Sequence, residues 1–356
     1  MATQVLDEVQ KEAFAERMLG IWNDAFLALM ISIGHQTRLF DTMADLRPST
    51  SEEIARAADL NERYVREWLS AMVTGRIVDY DPATRMYALS PERAVSLTRK
   101  AGLDNMAFFT QYVSMVGSVE QQVVECFHKG GGVPYSAYPR FQELHAEESG
   151  PLFDALLIDV ILPLAPGLVD RLERGGKVLD VGCGAGHAIN VMAKAFPTSR
   201  FAGYDFSETG IAAGRAEAAR LGLTNVRFAV KDAALLEEPG RYDLITAFNA
   251  IHDQAHPRAV LRAIRDALRS DGVFLMQDIA ASSNLHENLD HPLGPTFYTA
   301  STMLCMTTSL AYGGEGLGTM WGEQLARELL AEAGFAHVVV EQISSDPFNN
   351  YYVART

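Results

Sequence analysis

Residues 178–187 read VLDVGCGAGH, an apolar run that ends in three glycines at alternate positions. Glycines there let the backbone turn sharply and approach a ligand closely. A helix that begins just after them would point its free N–H groups at a negative charge. The stretch therefore predicts the first strand-to-helix turn of a nucleotide-binding α/β domain.

From residue 176 onward, strand-like and helix-like segments alternate. The runs are KVLDVG, AINVMAKAF, RFAGYD, GIAAGRAEAARLG, VRFAV, YDLITAF, RAVLRAIRDAL and GVFLMQD. Continuous apolar strands separated by helices are typical of a parallel sheet buried on both faces. After an insert at 279–320, the chain ends WGEQLARELLAEAGF, HVVVEQ and NNYYVAR. That ending predicts a helix and two strands whose short connection makes them antiparallel.

The N-terminal part has a different pattern. Residues 5–33 show helical spacing, with a very apolar helix at 21–34, and TRLFDTMADL, TSEEIARAADL and NERYVREWLSAMVTGRIV predict three short helices. The segment IVDYDPATRMYALS predicts two strands joined by a turn. Three helices before a hairpin indicate a winged helix-turn-helix. We therefore expect a winged-helix and dimerisation domain at 1–100, a helical linker and pocket segment at 101–170, and a nucleotide-binding domain at 171–356.

Composition restricts the function classes. The 356 residues carry a net charge of -15, which disfavours a protein whose main task is to bind phosphate backbones. Cys126, Cys183 and Cys305 are widely spaced and indicate neither a disulfide framework nor a zinc site. The N-terminus lacks a signal-peptide pattern, and no uninterrupted apolar run reaches the roughly 18 residues that span a bilayer. We expect a cytoplasmic protein with no membrane partner.

The glycine spacing bears on which nucleotide is bound. A dinucleotide site spaces its glycines G-x-G-x-x-G around a pyrophosphate, whereas here they are Gly182, Gly184 and Gly186. Asp180, at the end of the strand, would repel a pyrophosphate and attract an ammonium group. A ligand that joins an amino-acid zwitterion to adenosine without phosphate satisfies both observations, and S-adenosylmethionine is such a ligand.

Further contacts are expected after the next strands. Asp205 should bind the ribose diol, Asp232 should lie near the adenine, and Phe248 should close the methionine side. An exposed loop carboxylate is the alternative interpretation of Asp205 and, more so, of Asp232. The predicted cofactor-binding set is Asp180, Gly182, Cys183, Gly184, Gly186, Asp205, Phe206, Asp232, Ala233, Phe248 and Asn249.

Residues 176–278 resemble class I S-adenosylmethionine-dependent methyltransferases. The resemblance rests on VLDVGCGAG, the acid at Asp205, KDA, YDLITAFNAIHD and LRSDGVFLMQD, in family order and spacing. It implies a Rossmann-like α/β sheet of seven strands with the last strand antiparallel. The N-terminal half resembles the winged-helix dimerisation domain of small-molecule O-methyltransferases. The whole chain, including GLGTMWG, is similar to bacterial and mycobacterial winged-helix methyltransferases of unassigned substrate, which implies a homodimer.

The candidate catalytic residue is His252, just past the fourth strand of the alternating segment. An imidazole with a reference pKa of about 6.5 suits a general base at neutral pH. A histidine that only shapes the pocket is the alternative, since proximity and orientation supply much of such a reaction. Candidate acceptor residues are Tyr135, His286, His291 and Tyr298, each of which also fits a surface or packing role. Asp253 and Asp278 lack the Asp-Asn pair of a metal-dependent enzyme, so no metal is expected.

A different class of function competes with the enzyme. The winged helix is compatible with a transcriptional regulator that senses S-adenosylmethionine. However, the predicted recognition helix sets Arg63, Arg66 and Arg76 against Glu62 and Glu67, and residues 1–100 carry more acidic than basic side chains. Phosphate attraction would be weak, so DNA binding is not expected. The sequence favours methyl transfer to a small, largely apolar acceptor at oxygen.

Overall fold

The computed structural model describes residues 6–356, and the chain divides into two compact units between Gly117 and Ser118. Each unit has its own apolar core. The three segments predicted from the sequence, with boundaries near residues 100 and 170, stay a prediction.

The first unit is a winged helix. Thr50 caps the third helix in a reciprocal capping box with Glu53, as the Ser/Thr-Glu pattern predicts. The hairpin after the fourth helix pairs Asp79 with Ala88 in an antiparallel register. Its elements are α1 (Glu8–Gln36), α2 (Leu39–Asp45), α3 (Ser51–Ala58), α4 (Glu62–Thr74), β1 (Asp79–Asp81), β2 (Met86–Ala88), α5 (Pro91–Leu97), the 3-10 helix Arg99–Asp104, α6 (Met106–Phe109) and α7 (Gln111–Gly117).

Helix α1 is long and mostly exposed. Its last turns pack on the unit, where the indole N–H of Trp68 donates to the carbonyl of Met30 over 2.8 Å. An 18-residue window of α1 has a mean hydropathy of 1.2 and is 17% buried, so length and composition alone would let it cross a membrane. The sequence expectation that no segment is apolar enough to span is therefore too strict. Asn23 and Asp24 interrupt the apolar run, but the helix continues through them.

The second unit is an α/β domain. Its helices are α8 (Glu120–Lys129), α9 (Phe141–Leu156), α10 (Leu168–Arg174), α11 (His187–Ala195), α12 (Glu208–Arg220), α13 (Pro257–Ala267), α14 (Gly294–Ala300), α15 (Met306–Ala311) and α16 (Gly322–Ala333), with π-helical turns at Leu157–Ile161 and Ser301–Cys305. Short 3-10 helices occupy Tyr135–Ala137, Leu162–Leu164, Ala233–Leu235 and Leu285–Asn288. Its strands are β3 (Lys177–Val181), β4 (Arg200–Asp205), β5 (Val226–Val230), β6 (Tyr242–Phe248), β7 (Leu268–Ile279), β8 (His337–Ile343) and β9 (Asp346–Arg355).

These strands form one seven-stranded sheet in the order β5-β4-β3-β6-β7-β9-β8. Strands β3 to β7 are parallel, and β9 runs antiparallel to both β7 and β8. The predicted fold class, with its antiparallel last strand, is confirmed. Because β4 and β6 flank β3, the strand order reverses there. Ligands bind beyond the carboxyl ends of strands at such a point.

Both faces of the sheet are buried. Leu179, Ile245 and Phe274 point into one apolar layer. Their neighbours Val178 and Leu244 point into the other layer, as the two-residue period of a strand requires. Helices cover both layers, so the carboxyl edge of the sheet is left to carry polar side chains.

Candidate cofactor and active site

The glycine turn links β3 to α11. Gly182 and Gly186 have φ angles of 68° and 72°, in the left-handed region that favours glycine. A Cβ on Gly186 would stand 2.4 Å from the Phe228 ring, and one on Gly182 would stand 2.6 Å from the Ala250 Cβ. Packing as well as turn geometry therefore requires glycine at both positions.

Asp205 ends β4 and supports the turn. Its Oδ2 accepts a hydrogen bond from the backbone N–H of Gly184 over 2.9 Å, and its Oδ1 accepts one from Ser207 over 2.7 Å. Burial raises the pKa of this carboxyl group, and the backbone N–H donors oppose the shift. Each carboxylate oxygen has two lone-pair sites, so each can still accept one hydrogen bond from a ligand diol. Phe206 follows with a half-exposed ring.

Asp180 lies on β3, one strand over from Asp205, and is buried. Its Oδ1 accepts a hydrogen bond from the Thr246 hydroxyl over 2.7 Å. Burial raises the pKa of Asp180 to about 7, and the charge of Asp205 adds to the effect. A carboxyl group in this state would bind a cation well, because the cation would stabilise its ionised form.

The remaining predicted cofactor residues follow β5 and β6. Asp232 is exposed and its Oδ1 accepts from the Ala234 N–H over 2.9 Å, capping a short 3-10 turn that includes the buried Ala233. The ring of Phe248 packs 4.8 Å from that of Phe153. Asn249 has a φ of 48° and donates its N–H to the Gln277 carbonyl. Together with Cys183, these side chains follow neighbouring strands at one edge of the sheet.

His252 and Asp278 form a buried pair at the same edge. His252 follows β6, and its Nδ1 lies 2.7 Å from Oδ1 of Asp278 near the end of β7. Oδ1 of Asp278 also accepts the Ile279 N–H over 2.9 Å. Since a carboxylate can only accept, we assign one proton to Nδ1, so that in the neutral form of the ring Nε2 carries the lone pair. Burial lowers the pKa of His252, but the charges of Asp278 and Asp253 outweigh it and raise the pKa well above its usual value.

Three groups lie beside His252: Asp253, Cys305 and the predicted acceptor residue Tyr135. Asp253 Oδ1 lies 3.3 Å from His252 Nε2. The thiol of Cys305 is buried nearby, and burial raises its pKa to about 11. Burial and the charge of Asp253 raise the pKa of Tyr135 well above its usual value. No sequence spacing links Cys305 or Tyr135 to His252, because tertiary folding alone brings the segments together.

A cavity of about 440 Å³ is lined by Phe206 and Ser207, which follow Asp205 in the chain, and its size is within the usual range of small-molecule sites. Aromatic rings line it: Tyr135 lies 4.7 Å from Phe141 and 5.2 Å from Phe206, and Phe206 lies 6.2 Å from Tyr312. Phe141 and Tyr312 were not among the site residues predicted from the sequence. A groove of about 300 Å³ at the start of the strands, lined by Lys177 and Arg200 among others, contains none of the predicted site residues.

The loop that carries Tyr135 is fixed to the insert. The Val133 N–H lies 3.1 Å from the Thr307 hydroxyl oxygen, and the Tyr138 hydroxyl donates to the Met303 carbonyl over 2.6 Å. A Cβ on Gly132 would stand 1.8 Å from the Thr307 carbonyl oxygen. The glycine therefore allows the loop to lie directly against the helix.

The other predicted acceptor residues make contacts within the insert. His286 is exposed beside Glu287. His291 Nε2 donates to the Ala280 carbonyl over 3.2 Å, and its Nδ1 accepts the Leu293 N–H over 3.1 Å. The Tyr298 hydroxyl accepts from the Asn288 amide over 3.1 Å. Neither histidine hydrogen-bonds to His252 within residues 6–356, and a contact of this set with the acceptor stays a prediction.

Comparison with known families assigns both units. Residues 172–342 match a family described as a methyltransferase domain. The chain carries a methyltransferase domain. Residues 25–99 match a family described as an Rv2258c-like winged HTH domain. A methyltransferase domain therefore follows a winged helix-turn-helix domain, as the resemblance implied.

Curated relatives share the methyltransferase domain. A ubiquinone biosynthesis O-methyltransferase of Leptothrix cholodnii is 31% identical over 110 residues, which cover 30% of this chain and 46% of the relative. A release factor glutamine methyltransferase of Koribacter versatilis is 36% identical over 111 residues, 31% of this chain and 38% of the relative. The chain thus spans less than half the length of these relatives.

Solved structures match the whole chain in fold. The human N-acetylserotonin methyltransferase in complex with SAM has a TM-score of 0.69 at 15% identity, covering 100% of this chain and 99% of that one. The mitomycin 7-O-methyltransferase MmcR has a TM-score of 0.70 at 17% identity, covering 98% and 100%. These two structures therefore share the fold of this chain over nearly its whole length.

Proposed function

We propose that the chain is an S-adenosylmethionine-dependent methyltransferase that methylates an oxygen of a small, largely apolar acceptor. One observation carries the proposal: two buried carboxyl groups, Asp180 and Asp205, flank the glycine turn, and the His252–Asp278 pair follows the next two strands of the same sheet. The names of the relatives and the SAM-bound human structure support the reaction class.

The cofactor would extend along this edge. The ammonium group of its methionine part would pair with Asp180, and its ribose diol would donate to Asp205. The carboxylate would lie near the N-terminus of α11, whose free N–H groups favour negative charge. Asp180, at the end of β3, would repel a pyrophosphate held at the glycine turn, so a dinucleotide fits poorly.

The reaction would be an in-line displacement. The bond from the acceptor oxygen to the methyl carbon would form as the carbon–sulfur bond breaks, and the positive charge of the sulfonium would be lost as the sulfur becomes a neutral thioether. Holding both reactants in line supplies much of the acceleration. In the neutral form of His252, Nε2 would take the proton of the acceptor hydroxyl, while Asp278 orients the ring through Nδ1 and stabilises the positive charge that forms. The aromatic rings around Tyr135 and Phe206 favour a flat, apolar acceptor.

The test begins with the cofactor. Calorimetric titrations of the full chain with S-adenosylmethionine, S-adenosylhomocysteine and NAD should show micromolar binding of both sulfur compounds and none of NAD. Transfer of a labelled methyl group to a panel of small hydroxylated aromatics would then identify the acceptor class. Absence of binding by either sulfur compound would overturn the proposal.

Cofactor affinity should depend on pH through Asp180. Its pKa of about 7 in the free protein should fall when the cofactor ammonium pairs with it, so binding releases a proton. Affinity should therefore rise up to tenfold per pH unit below about pH 7 and level off above it. Calorimetry with S-adenosylhomocysteine in two buffers of different ionisation enthalpy measures the released proton directly. The Asp180→Asn variant should bind more weakly and with no such pH dependence, and an unchanged pH profile would place the ammonium elsewhere.

We also propose a cytoplasmic homodimer that uses α1. Its exposed residues Phe14, Met18, Trp22 and Phe26 recur at every fourth position, an apolar stripe that a second copy would bury. Sedimentation of the wild-type chain should give a dimer, and the Trp22→Glu/Phe26→Glu variant should be monomeric. A monomeric wild-type chain would exclude this assembly.

The regulator remains the second candidate function. On α4, Arg63 pairs with Glu67 and Arg66 with Glu62, so these cations are already neutralised by neighbours on the same helix. A salt series with duplex DNA tests the alternative, because binding through phosphates weakens steeply as salt rises.

A further inference from the structure

Three polar side chains meet beside the carboxyl edge of the sheet. His252 and Asp253 follow β6, while Cys305 ends the π-helical turn Ser301–Cys305. One nitrogen, one oxygen and one sulfur atom of this group all lie within 4.8 Å of one another. Local π-helical turns are frequent at functional sites. Methyl transfer as proposed uses only His252, so Asp253 and Cys305 have no role in it.

The spacing of the three atoms approaches that of a metal site. Zinc bond lengths of 2.0 to 2.3 Å at tetrahedral angles place ligand atoms about 3.3 to 3.6 Å apart. His252 Nε2 and Asp253 Oδ1 already stand 3.3 Å apart. A small adjustment of the Cys305 side chain would complete a three-residue set, with a water in the fourth position.

The surroundings of His252 are those of a metal-bound histidine. Asp278 holds the ring through Nδ1, and such a carboxylate partner fixes the tautomer that leaves Nε2 free for a metal. Among residues 6–356, Asp253 Oδ1 and Asp278 Oδ2 are buried without a hydrogen-bond partner. Buried polar atoms are normally satisfied, and the group nearest to Asp253 Oδ1 is His252 Nε2 at 3.3 Å, so a metal ion between these two atoms would satisfy both.

We propose that His252, Asp253 and Cys305 bind Zn²⁺, and that the metal blocks methyl transfer by occupying Nε2 of His252. On binding, Cys305 releases its proton to solvent and coordinates as a thiolate, and His252 releases its Nε2 proton so that the imidazole coordinates in its neutral form. Nitrogen and sulfur ligands select zinc over magnesium or calcium. The binding step stands without the proposed function, whereas the inhibition rests on it. Sequence spacing did not indicate the site, because Cys305 lies far along the chain from Asp253.

Cobalt is the probe for the binding step. The full chain, treated with chelator and titrated with Co²⁺, should develop a thiolate-to-cobalt charge-transfer band that saturates at one equivalent. The band should disappear in Cys305→Ser and persist in the matched control Cys126→Ser. Asp278→Asn, which removes the negative charge beside Nδ1 of the histidine, should weaken Co²⁺ binding about 10- to 100-fold. No band, or a band retained in Cys305→Ser, would overturn the site.

Two further measurements distinguish loss of the metal site from loss of folding, and metal binding from inhibition. If circular dichroism shows that Cys305→Ser is unfolded, Asp253→Asn replaces it, and unweakened Co²⁺ binding by that variant would count against the site. Zn²⁺ should abolish methyl transfer by the wild-type chain, with recovery on chelation, and full activity of the Zn²⁺-saturated chain would refute the inhibition. A chain that binds cobalt but transfers no methyl group even when it is free of metal would support the metal site and count against the proposed function.

Discussion

The His252→Gln variant should lose about 10²- to 10⁴-fold in kcat, the usual contribution of a general base, while its affinity for S-adenosylhomocysteine changes less than about threefold. Glutamine fills a similar volume and can still donate to Asp278, but it cannot take a proton from the acceptor. Steady-state rates with an acceptor from the screen and calorimetry of cofactor binding measure the two quantities separately.

The control for this variant is His286→Gln, which changes an exposed histidine of the insert and should leave kcat unchanged. A wild-type kcat in His252→Gln would mean that the acceptor attacks without a general base and that proximity carries the reaction. We expect Asp278→Asn to lower kcat as a positioning change, and Asp278→Glu to restore part of it. A merely structural role would lower the melting temperature and cofactor affinity along with kcat.

The sheet and its cofactor edge could be predicted because their signals are local. The run VLDVG, the glycines after it and the acid at Asp205 each belong to a strand end, and the carboxyl ends of parallel strands meet at one edge. His252 could be found for the same reason, since it closely follows β6. The alternation of strands and helices, which predicts parallel strands, was therefore enough to predict which side chains share this edge.

The environment of His252 could not be predicted in the same way. Cys305, Phe141 and Tyr312 come from a π-helical turn, the first turn of α9 and the residue after α15. Their positions depend on tertiary contacts such as those between the 130–138 loop and the insert. His291 shows the converse error: a polar residue in an irregular segment suggested a substrate contact, but both ring nitrogens bind backbone groups of its own region.

Asp205→Ala should weaken binding of S-adenosylmethionine and S-adenosylhomocysteine by about 10²-fold or more. Two hydrogen bonds from the ribose diol to a carboxylate would be lost, each worth about 1.5 to 3 kcal/mol. The substitution also removes the acceptor of the Gly184 and Ser207 N–H groups, so the glycine turn itself should loosen and the melting temperature should fall. Calorimetric titration and thermal unfolding of the same preparation measure both effects.

Two matched variants separate the ribose contact from the support of the turn. Asp205→Asn keeps one carbonyl oxygen, which can accept one of the two backbone N–H groups, so its stability should lie between those of wild type and Asp205→Ala while its affinity stays low. Asp232→Ala changes an exposed carboxylate and should reduce affinity far less, because solvent competes for any contact that Asp232 makes with the adenine. If folded Asp205→Ala bound S-adenosylhomocysteine as tightly as wild type, the ribose would lie elsewhere. The glycine turn between β3 and α11 would then no longer mark the cofactor site.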